Sequence, residues 1–218
     1  MFCDIHTHNL SNENRFVIDI SENYHLADSV KYFTVGIHPK TVQTVEQLND
    51  SFQNIFLLAQ KTNCVAIGEC GLDKFSSIPI TLQEEIFRKQ IAIAQQFNKP
   101  LVIHCVRLYS EIIRIIKDTK FSNEVILHGF NANAQTTNQL LKISNICFSI
   151  SELITNPQTK GYNSLELIPL QRIFTESDTR ISTDFSKIIS VISEKQHVDT
   201  KHVETIIEKN FERIVKNM

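Results

Sequence analysis

The 218-residue sequence predicts an α/β fold, a closed (β/α) barrel of parallel strands. Short apolar runs rich in β-branched residues alternate with longer amphipathic segments along the whole chain, which is the pattern of parallel strands joined by helices. Seven or eight such units suit a barrel closed by strand pairing. An open, doubly wound sheet is the alternative architecture.

The predicted strands are short and rich in Val, Ile and Phe, as strands of buried parallel sheets are. In chain order they are FCDIH, KYFTVGIH, CVAIGE, PLVIHC, EVILHGF, NICFSIS and RIFTESD. The segment RFVIDIS follows the first of these strands and predicts either a short extra strand or one arm of a hairpin.

Helical periodicity fills the segments between the strands. It is clearest in TLQEEIFRKQIAIAQQFN, where Leu82, Ile86, Gln90 and Ile93 mark one face. The other predicted helices are VEQLNDSFQNIFLLAQK, RLYSEIIRIIKD, AQTTNQLLKI, DFSKIISVISEK and VETIIEKNFERIVKN. Since no Gly/Ser-rich linker, low-complexity tract or charge block interrupts this pattern, we expect residues 1–218 to form one domain.

The composition, with 42% hydrophobic and 21% charged residues, is that of a globular protein. A net charge of −2 excludes a strong overall attraction to nucleic acid or anionic membranes, while a local basic rim is compatible with it. Five scattered cysteines without a CxxC pair predict reduced thiols. The sequence shows no signal-peptide pattern and no apolar run long enough to span a bilayer, so we expect a cytoplasmic protein with no membrane partner, monomeric by default.

Potential metal ligands stand where the predicted strands end. His6 and His8 close the first strand one residue apart, so both imidazoles project from the same face. Later strands end in further candidates, namely Glu69, His104, His128 and Asp178. Because a barrel carries its active site at the C-terminal ends of its strands, we expect all six side chains to converge. One such histidine would suit a core position, but four with two carboxylates indicate a metal centre.

Imidazole and carboxylate ligands suit zinc, manganese, iron or magnesium. Six ligands exceed the needs of one tetrahedral ion, so the sequence predicts two divalent ions roughly 3.5–4 Å apart, bridged by a carboxylate. Glu69 is the best candidate for the bridge. Such a pair lowers the pKa of bound water towards about 7 and clamps both oxygens of a phosphodiester displacement. Strand alternation turns Cys105 away from His104, so Cys70 and Cys105 are expected to be buried thiols beside the centre.

The motifs DIHTH, GIHP, AIGECGLD, the FRKQIAIAQQFNKPLVIHC block, ILHGF and FTESD occur in this order. Together they resemble the markers of the TatD family of metal-dependent deoxyribonucleases, which belongs to the amidohydrolase superfamily of TIM-like barrels. The resemblance extends from Phe2 to the closing KNFERI. It implies a two-metal hydrolase whose substrate and partner is DNA, attacked from an end of a single strand.

The resemblance also implies a role for each ligand. One metal site would consist of His6, His8, Glu69 and Asp178, and the second of Glu69, His104 and His128. Asp178 is expected to act additionally as the proton acceptor for the attacking water, so the expected catalytic residues are Asp178 and Glu69.

Several positions depart from the family pattern. The stretch between His8 and Gly36 has room for little beyond a hairpin, so we expect a barrel with seven strands or with a reduced first unit. The arginine common two residues after His104 is displaced to Arg107, and Thr179-Arg180 replaces the usual Ala-Pro. These departures alter the rim that faces the substrate and leave the ligand set intact.

The predicted substrate contacts lie in loops on the same face. They are His38, Arg107 and Arg180, with lysines 40 and 74 as weaker candidates for phosphate binding. A structural turn is the alternative for His38, which precedes a proline. Asp73 is expected either to orient a ligand histidine through a hydrogen bond or to stabilise a turn.

Two other functions are compatible with the residues. An amidohydrolase-type deacylase or esterase would use the same metal centre, and the altered rim is compatible with this alternative. A non-catalytic binding protein would retain the fold but lose ligands, whereas all six ligand positions are filled here.

Overall fold

The computed structural model describes residues 2–10, 15–41 and 44–216. Its centre is one sheet of eight parallel strands, in which each strand pairs with the next one along the chain. The strands are β1 (Asp4–Thr7), β2 (Phe16–Asp19), β3 (Phe33–Val35), β4 (Cys64–Asp73), β5 (Leu101–Val106), β6 (Val125–Leu127), β7 (Ile146–Ile150) and β8 (Ile173–Thr175). The predicted barrel architecture is therefore confirmed.

The sheet closes where the end of β1 meets the residues that follow β8. Thr7 and Asp178 form a parallel bridge. The Asp178 amide donates to the His6 carbonyl at 3.0 Å, and the His8 amide donates to the Asp178 carbonyl at 3.0 Å. Beneath this bridge the buried Asp4 carboxylate accepts hydrogen bonds from the Ser177 hydroxyl at 2.6 Å and from the Ser177 amide at 3.1 Å. These contacts make a nearly closed barrel.

The segment RFVIDIS forms β2, so the expected alternative of seven strands is wrong. The segment is also no hairpin arm, because it pairs in parallel with both β1 and β3. Its Val17 and Ile18 are successive residues on opposite faces, yet both are buried, as a strand covered on both sides requires. The expected reduction of the first unit is confirmed, since no helix occurs in the described residues between β1 and β2.

Seven α-helices lie in the described part of the chain: α1 (Val45–Leu58), α2 (Ile80–Gln96), α3 (Tyr109–Asp118), α4 (Ala134–Leu141), α5 (Lys160–Ser164), α6 (Phe185–Gln196) and α7 (Thr200–Lys216). All the predicted helices are among them. The sequence did not predict α5, because its five residues are too few to show helical periodicity. No helix within these described ranges is long and apolar enough to cross a membrane.

Side-chain caps explain where several helices begin. The Thr44 hydroxyl accepts a hydrogen bond from the Gln47 amide at the start of α1, and the Gln47 side-chain oxygen accepts one from the Thr44 amide. Asn133 caps α4 and Asp184 caps α6 in the same way. These caps fix the first residues of the helices that follow β3, β6 and β8.

Two glycines let β4 approach β5 closely beside the ligand positions. Both have left-handed backbone conformations, with φ of +151° at Gly68 and +132° at Gly71. A Cβ on Gly68 would lie 2.3 Å from the Val102 carbonyl oxygen, and one on Gly71 would lie 2.2 Å from that of His104. No side chain fits at those distances, so glycine is required on either side of Glu69.

Replacement of Gly71 by alanine is expected to destabilise the barrel. The new methyl would collide with the His104 backbone, and overpacking of this kind costs about 1–3 kcal/mol of unfolding free energy. Gly129→Ala is the control, because its Cβ would meet nothing closer than 3.8 Å despite a φ of +54°, leaving a backbone cost of about 1 kcal/mol. Urea unfolding measures both, and equal losses would contradict the steric argument.

Candidate metal centre

The carboxylate of Glu69 lies at the centre of the converging side chains. Glu69 is only 4% exposed and comes from the middle of β4. Its Oε2 lies 3.3 Å from Nε2 of His6 and 3.5 Å from Nε2 of His8. The same two imidazoles face Asp178, whose Oδ1 lies 3.9 Å from His6 Nε2 and 3.6 Å from His8 Nε2. Both histidines of the first strand thus share two carboxylates.

The other oxygen of Glu69 faces a second group of imidazoles. Oε1 lies 2.6 Å from Nδ1 of His104, 2.7 Å from Nε2 of His128 and 3.2 Å from Nε2 of His38. Each oxygen of one carboxylate therefore serves a different set of nitrogen ligands. This is the arrangement that the predicted bridging role of Glu69 requires.

The imidazoles determine the ionisation of Glu69. Burial alone would raise the pKa of this carboxyl group, but the positive charge of His128 and hydrogen bonds from His104, His128 and His38 hold the pKa well below its usual range. Glu69 is therefore an anion at neutral pH, although it is almost completely buried. A buried carboxylate in this state needs positive partners, whether protonated imidazoles or cations.

Asp19 belongs to the centre and was missed by the sequence analysis. Its carboxylate, 8% exposed at the end of β2, accepts the Glu69 amide at 2.9 Å and the Ser21 amide at 2.7 Å. Ligand atoms of His6, His8, Asp19 and Glu69 all lie within 4.8 Å of one another. The available signal was position, because Asp19 closes the uncertain segment RFVIDIS as the other ligands close their strands.

His38 lies deeper in the site than its predicted role as a substrate contact implied. Its Nε2 is 3.3 Å from Nδ1 of His104, and His38, Glu69 and His104 form a second cluster of potential metal ligands. A third cluster consists of His6, His128 and Asp178. All six predicted metal ligands therefore occur in these clusters, together with Asp19 and His38.

Carboxylates outside the ligand clusters hold two of the histidines. Asp73 Oδ2 lies 2.9 Å from Nε2 of His104 and 3.0 Å from Nζ of Lys40, so Asp73 is placed to orient the ring of this predicted ligand. Glu176, which the sequence analysis overlooked within FTESD, is buried with its Oε1 3.7 Å from Nδ1 of His128. Burial lowers the pKa of the His128 ring, but the charges of Glu69 and Glu176 outweigh that effect and raise the pKa well above its usual value.

The donor set fits divalent metal ions. His6 is completely buried, and neither of its ring nitrogens has a hydrogen-bond partner among the described residues. A buried polar atom without a partner is rare in proteins, and a metal ion is the natural acceptor for a neutral imidazole lone pair. The five imidazoles and three carboxylates of these overlapping clusters are the mixed nitrogen and oxygen ligands that zinc, manganese or iron prefer.

A cleft of about 790 Å³ opens over these groups. Its lining includes Ser21, Glu22 and Tyr24 from the segment after β2, together with Lys40 and Thr179. Among the described residues that line the cleft, Lys40 is the only lysine or arginine. The lining of the cleft is thus poor in lysine and arginine.

The two predicted substrate-binding arginines lie outside that lining. Arg180 directs its guanidinium to Glu152, with Nη1 3.1 Å from Oε2. Arg107 lies over the ring of Phe75, 5.3 Å from its centroid. Of the three predicted substrate contacts, the structure brings only His38 to the metal centre.

Solved structures with the same fold include TatD-type proteins. The crystal structure of the TatD homologue YjjV from Escherichia coli matches with a TM-score of 0.80 at 18% identity, covering 91% of this chain and 85% of that one. A TatD-family hydrolase from Entamoeba histolytica matches with a TM-score of 0.75 at 17% identity, covering 98% and 97%. At these identities the similarity establishes the barrel fold.

Sequence relatives give the closer relationship. The chain is 29% identical over 160 residues to a metal-dependent hydrolase of Buchnera aphidicola and 30% identical over 151 residues to the metal-dependent hydrolase YabD of Bacillus subtilis. These matches cover 68% and 67% of this chain but 58% of each relative, which is less than two thirds of their length. A human protein named as a 3′-5′ RNA nuclease, TATDN2, is 27% identical over 70% of this chain and 20% of its own length. The family model for TatD-related DNases matches residues 5–216, nearly the whole chain, and the protein therefore belongs to that family.

Proposed function

We propose that this protein is a metal-dependent hydrolase that cleaves phosphodiester bonds of DNA, working from the end of a single strand. The observation that carries the proposal is the position of Glu69, whose two oxygens face separate groups of imidazoles. Two divalent ions held in this way are the usual solution for phosphodiester hydrolysis. Membership of the TatD-related DNase family supports the same reaction class.

The proposed ligands divide into two sets that share Glu69. The first set is His6, His8, Glu69 and Asp178, with the Asp19 carboxylate beside it, and the second is Glu69, His104 and His128, with His38 beside it. Divalent ions bound there would lower the pKa of a water molecule and polarise a phosphoryl oxygen. Zinc, manganese and magnesium are the candidates to test.

Asp178 is the proposed proton acceptor for the attacking water. Its side chain is 38% exposed and lines the cleft, whereas Glu69 is 5% exposed. Its backbone is fixed by the bridge that closes the barrel and adopts the left-handed conformation, with φ of 55°, that aspartate tolerates better than most residues. A carboxylate fixed at the edge of the cleft can accept a proton at a defined place and release it to solvent.

Neighbouring residues hold the ligands and the substrate. Asp73 fixes the ring orientation of His104 through its 2.9 Å contact, which strengthens the ring as a ligand. Lys40 presents its ammonium group at the wall of the cleft, where it can contact a phosphate. The five cysteines are free and Cys70 is completely buried, which supports the proposed cytoplasmic setting.

A deacylase or esterase is the second candidate function. The observation that favours it is the cleft lining, where Lys40 already contacts Asp73, and Glu22 adds a carboxylate at the wall. A polyanionic strand gains little in such a cleft unless positive charge is supplied elsewhere on the rim. Small esters and amides do not need that charge.

Metal-dependent cleavage of DNA is the first expected result. Purified protein is stripped of metal, reloaded separately with magnesium, manganese or zinc, and incubated with end-labelled single-stranded and duplex DNA. We expect a ladder from the single strand that is absent without metal and absent in the His6→Ala/His8→Ala double variant. The matched control is His202→Ala, which removes an exposed imidazole from α7.

The same assay separates the two candidate functions. Metal analysis that finds two ions per chain, together with intact DNA in every reaction, would rule out the proposed deoxyribonuclease. Hydrolysis of aminoacyl or short-chain esters by the same preparation would then identify the deacylase.

Replacement of Asp178 by asparagine is expected to separate proton transfer from folding. Loss of a general base lowers kcat by about 10²–10⁴-fold, while the isosteric amide leaves the backbone bridge to Thr7 in place. Asp50→Asn, an exposed position on α1, is the control. Unchanged kcat in Asp178→Asn, at saturating metal, would exclude this residue as the base.

Metal binding is expected to stabilise the fold, because it supplies partners for buried groups such as His6. At a metal concentration one hundred times Kd the unfolding free energy rises by about 2.7 kcal/mol, which corresponds to roughly 5–10 °C in Tm for a chain of this size. Thermal melts with added zinc or manganese, reversed by EDTA, measure it. The rise should be smaller in His6→Ala/His8→Ala, which removes ligands of the first set only, and should be unchanged in His202→Ala.

A further inference from the structure

An exposed aromatic ring stands on the rim of the barrel beside the metal centre. Phe75 is 66% exposed, the largest exposed fraction of any phenylalanine in the protein. Most of the other phenylalanine rings are buried or half-buried. A ring that solvent reaches at the active face of a barrel is placed to contact a ligand rather than the core.

The pairing of β4 with β5 brings an arginine to this ring. Asp73 pairs with Val106 at the end of the two strands, and the Lys74 amide donates to the Val106 carbonyl at 3.1 Å. Phe75 and Arg107 follow directly, so both strands deliver their next side chains to the same place. The Arg107 guanidinium lies 5.3 Å from the centroid of the Phe75 ring, within the range of a cation–π contact.

The backbone holds both side chains in position. The Phe75 amide donates to Asp73 Oδ1 at 2.7 Å, and the Ser76 hydroxyl donates to the Pro39 carbonyl at 2.7 Å. Arg107 adopts a left-handed conformation with φ of 59°. The ring therefore stands on a fixed turn, which lowers the entropy cost of binding a ligand against it.

The charge of Arg107 is available to a ligand. Within residues 2–10, 15–41 and 44–216, no carboxylate lies within ion-pair distance of its guanidinium, whereas Arg180 is paired with Glu152. Arg107 is exposed, as is the neighbouring Lys74. Positive charge thus gathers on the β4–β5 side of the rim, while Asp19 and Glu22 make the β2 side of the cleft acidic.

One side chain links this rim to the metal centre. Asp73 holds the Phe75 amide with Oδ1 and the His104 ring with Oδ2, at 2.7 Å and 2.9 Å. The Asp73 carboxylate therefore fixes both the backbone of Phe75 and the ring of His104, a proposed metal ligand. Asp73 thus connects the rim to the proposed metal centre.

We propose that Phe75 and Arg107 form a stacking subsite for one nucleobase of a single-stranded nucleic acid, with the guanidinium contacting an adjacent phosphate. An exposed aromatic face combined with a cation is the chemistry by which proteins hold unpaired bases. The subsite rests on the proposed nuclease function and adds to it the element that distinguishes a strand from a small ester. It supplies at the rim the positive charge that the cleft lacks.

The test is binding of a fluorescein-labelled, phosphorothioate-substituted oligothymidylate to the metal-loaded protein, followed by anisotropy. Phe75→Ala is expected to weaken binding about tenfold, as loss of one base–aromatic stack does. Phe75→Tyr retains the ring and should retain wild-type affinity. Leu57→Ala, which removes a 54% exposed side chain from α1, is the control for surface apolarity and should bind as wild type.

Two further measurements identify the base and the phosphate. An oligonucleotide with one abasic position at the stacked nucleotide should bind wild type as weakly as the intact strand binds Phe75→Ala, and the two losses should not add. Arg107→Gln should reduce the slope of log K against log salt by about 0.7, the value for one phosphate contact with a single strand. A purely structural role for either residue would change neither quantity.

The outcomes separate the subsite from the proposed reaction. Cleavage of DNA with unchanged binding in Phe75→Ala and an unchanged salt slope in Arg107→Gln would overturn the subsite and leave the nuclease standing. Ring-dependent and base-dependent binding without cleavage would support the subsite and overturn the nuclease. If wild type neither binds nor cleaves the strand, both proposals fail. Circular dichroism confirms that each variant is folded, and the salt slope of Arg107→Gln decides the question should Phe75→Ala unfold.

Discussion

The buried negative charge of Glu69 is the constraint on which the rest of the site depends. A carboxylate that is 4% exposed is stable as an anion only when positive or hydrogen-donating groups surround it. Five imidazoles, of which His6 and His128 are the most deeply buried, meet that requirement from four different strands and their following loops. The glycines before and after Glu69 let β4 run close enough to β5 for His104 to reach it. Backbone geometry and electrostatics are thus satisfied together.

Barrel closure and the chemistry of the site share one residue. The backbone of Asp178 forms the bridge to Thr7 that closes the sheet, and its side chain faces His6 and His8. Closure therefore positions the proposed proton acceptor directly, without a flexible loop between them. The shortened connection between β1 and β2 does not weaken this arrangement, because β2 still supplies Asp19 to the Glu69 amide. The first unit thus lacks a helix in the described residues, and its strand still contributes to the candidate metal centre.

The rim differs from the centre in how its charges are used. Lys40 forms an ion pair with Asp73, and Arg180 forms one with Glu152. Neither residue therefore offers the cleft an unpaired positive charge. Arg107 instead lies over the exposed ring of Phe75, outside the lining of the cleft. A site arranged in this way would bind its substrate by stacking and a few phosphate contacts rather than by a continuous basic groove. Such recognition suits the end of a single strand.

The sequence by itself determined the barrel and six proposed ligands, because ligand-type residues at the ends of successive parallel strands must meet at one face. It did not determine whether RFVIDIS forms a parallel strand or one arm of a hairpin. A four-residue strand has the same apolar pattern whether its partner runs parallel or antiparallel. Asp19, His38 and Glu176 joined the centre only through strand register, which brings together residues as distant in the chain as Asp4 and Ser177, 173 positions apart. The Phe75–Arg107 pair likewise arises from the ends of two strands. Tertiary structure decided these features because they depend on distances between residues far apart in the chain. The local sequence pattern indicates only which way each side chain points from its own strand.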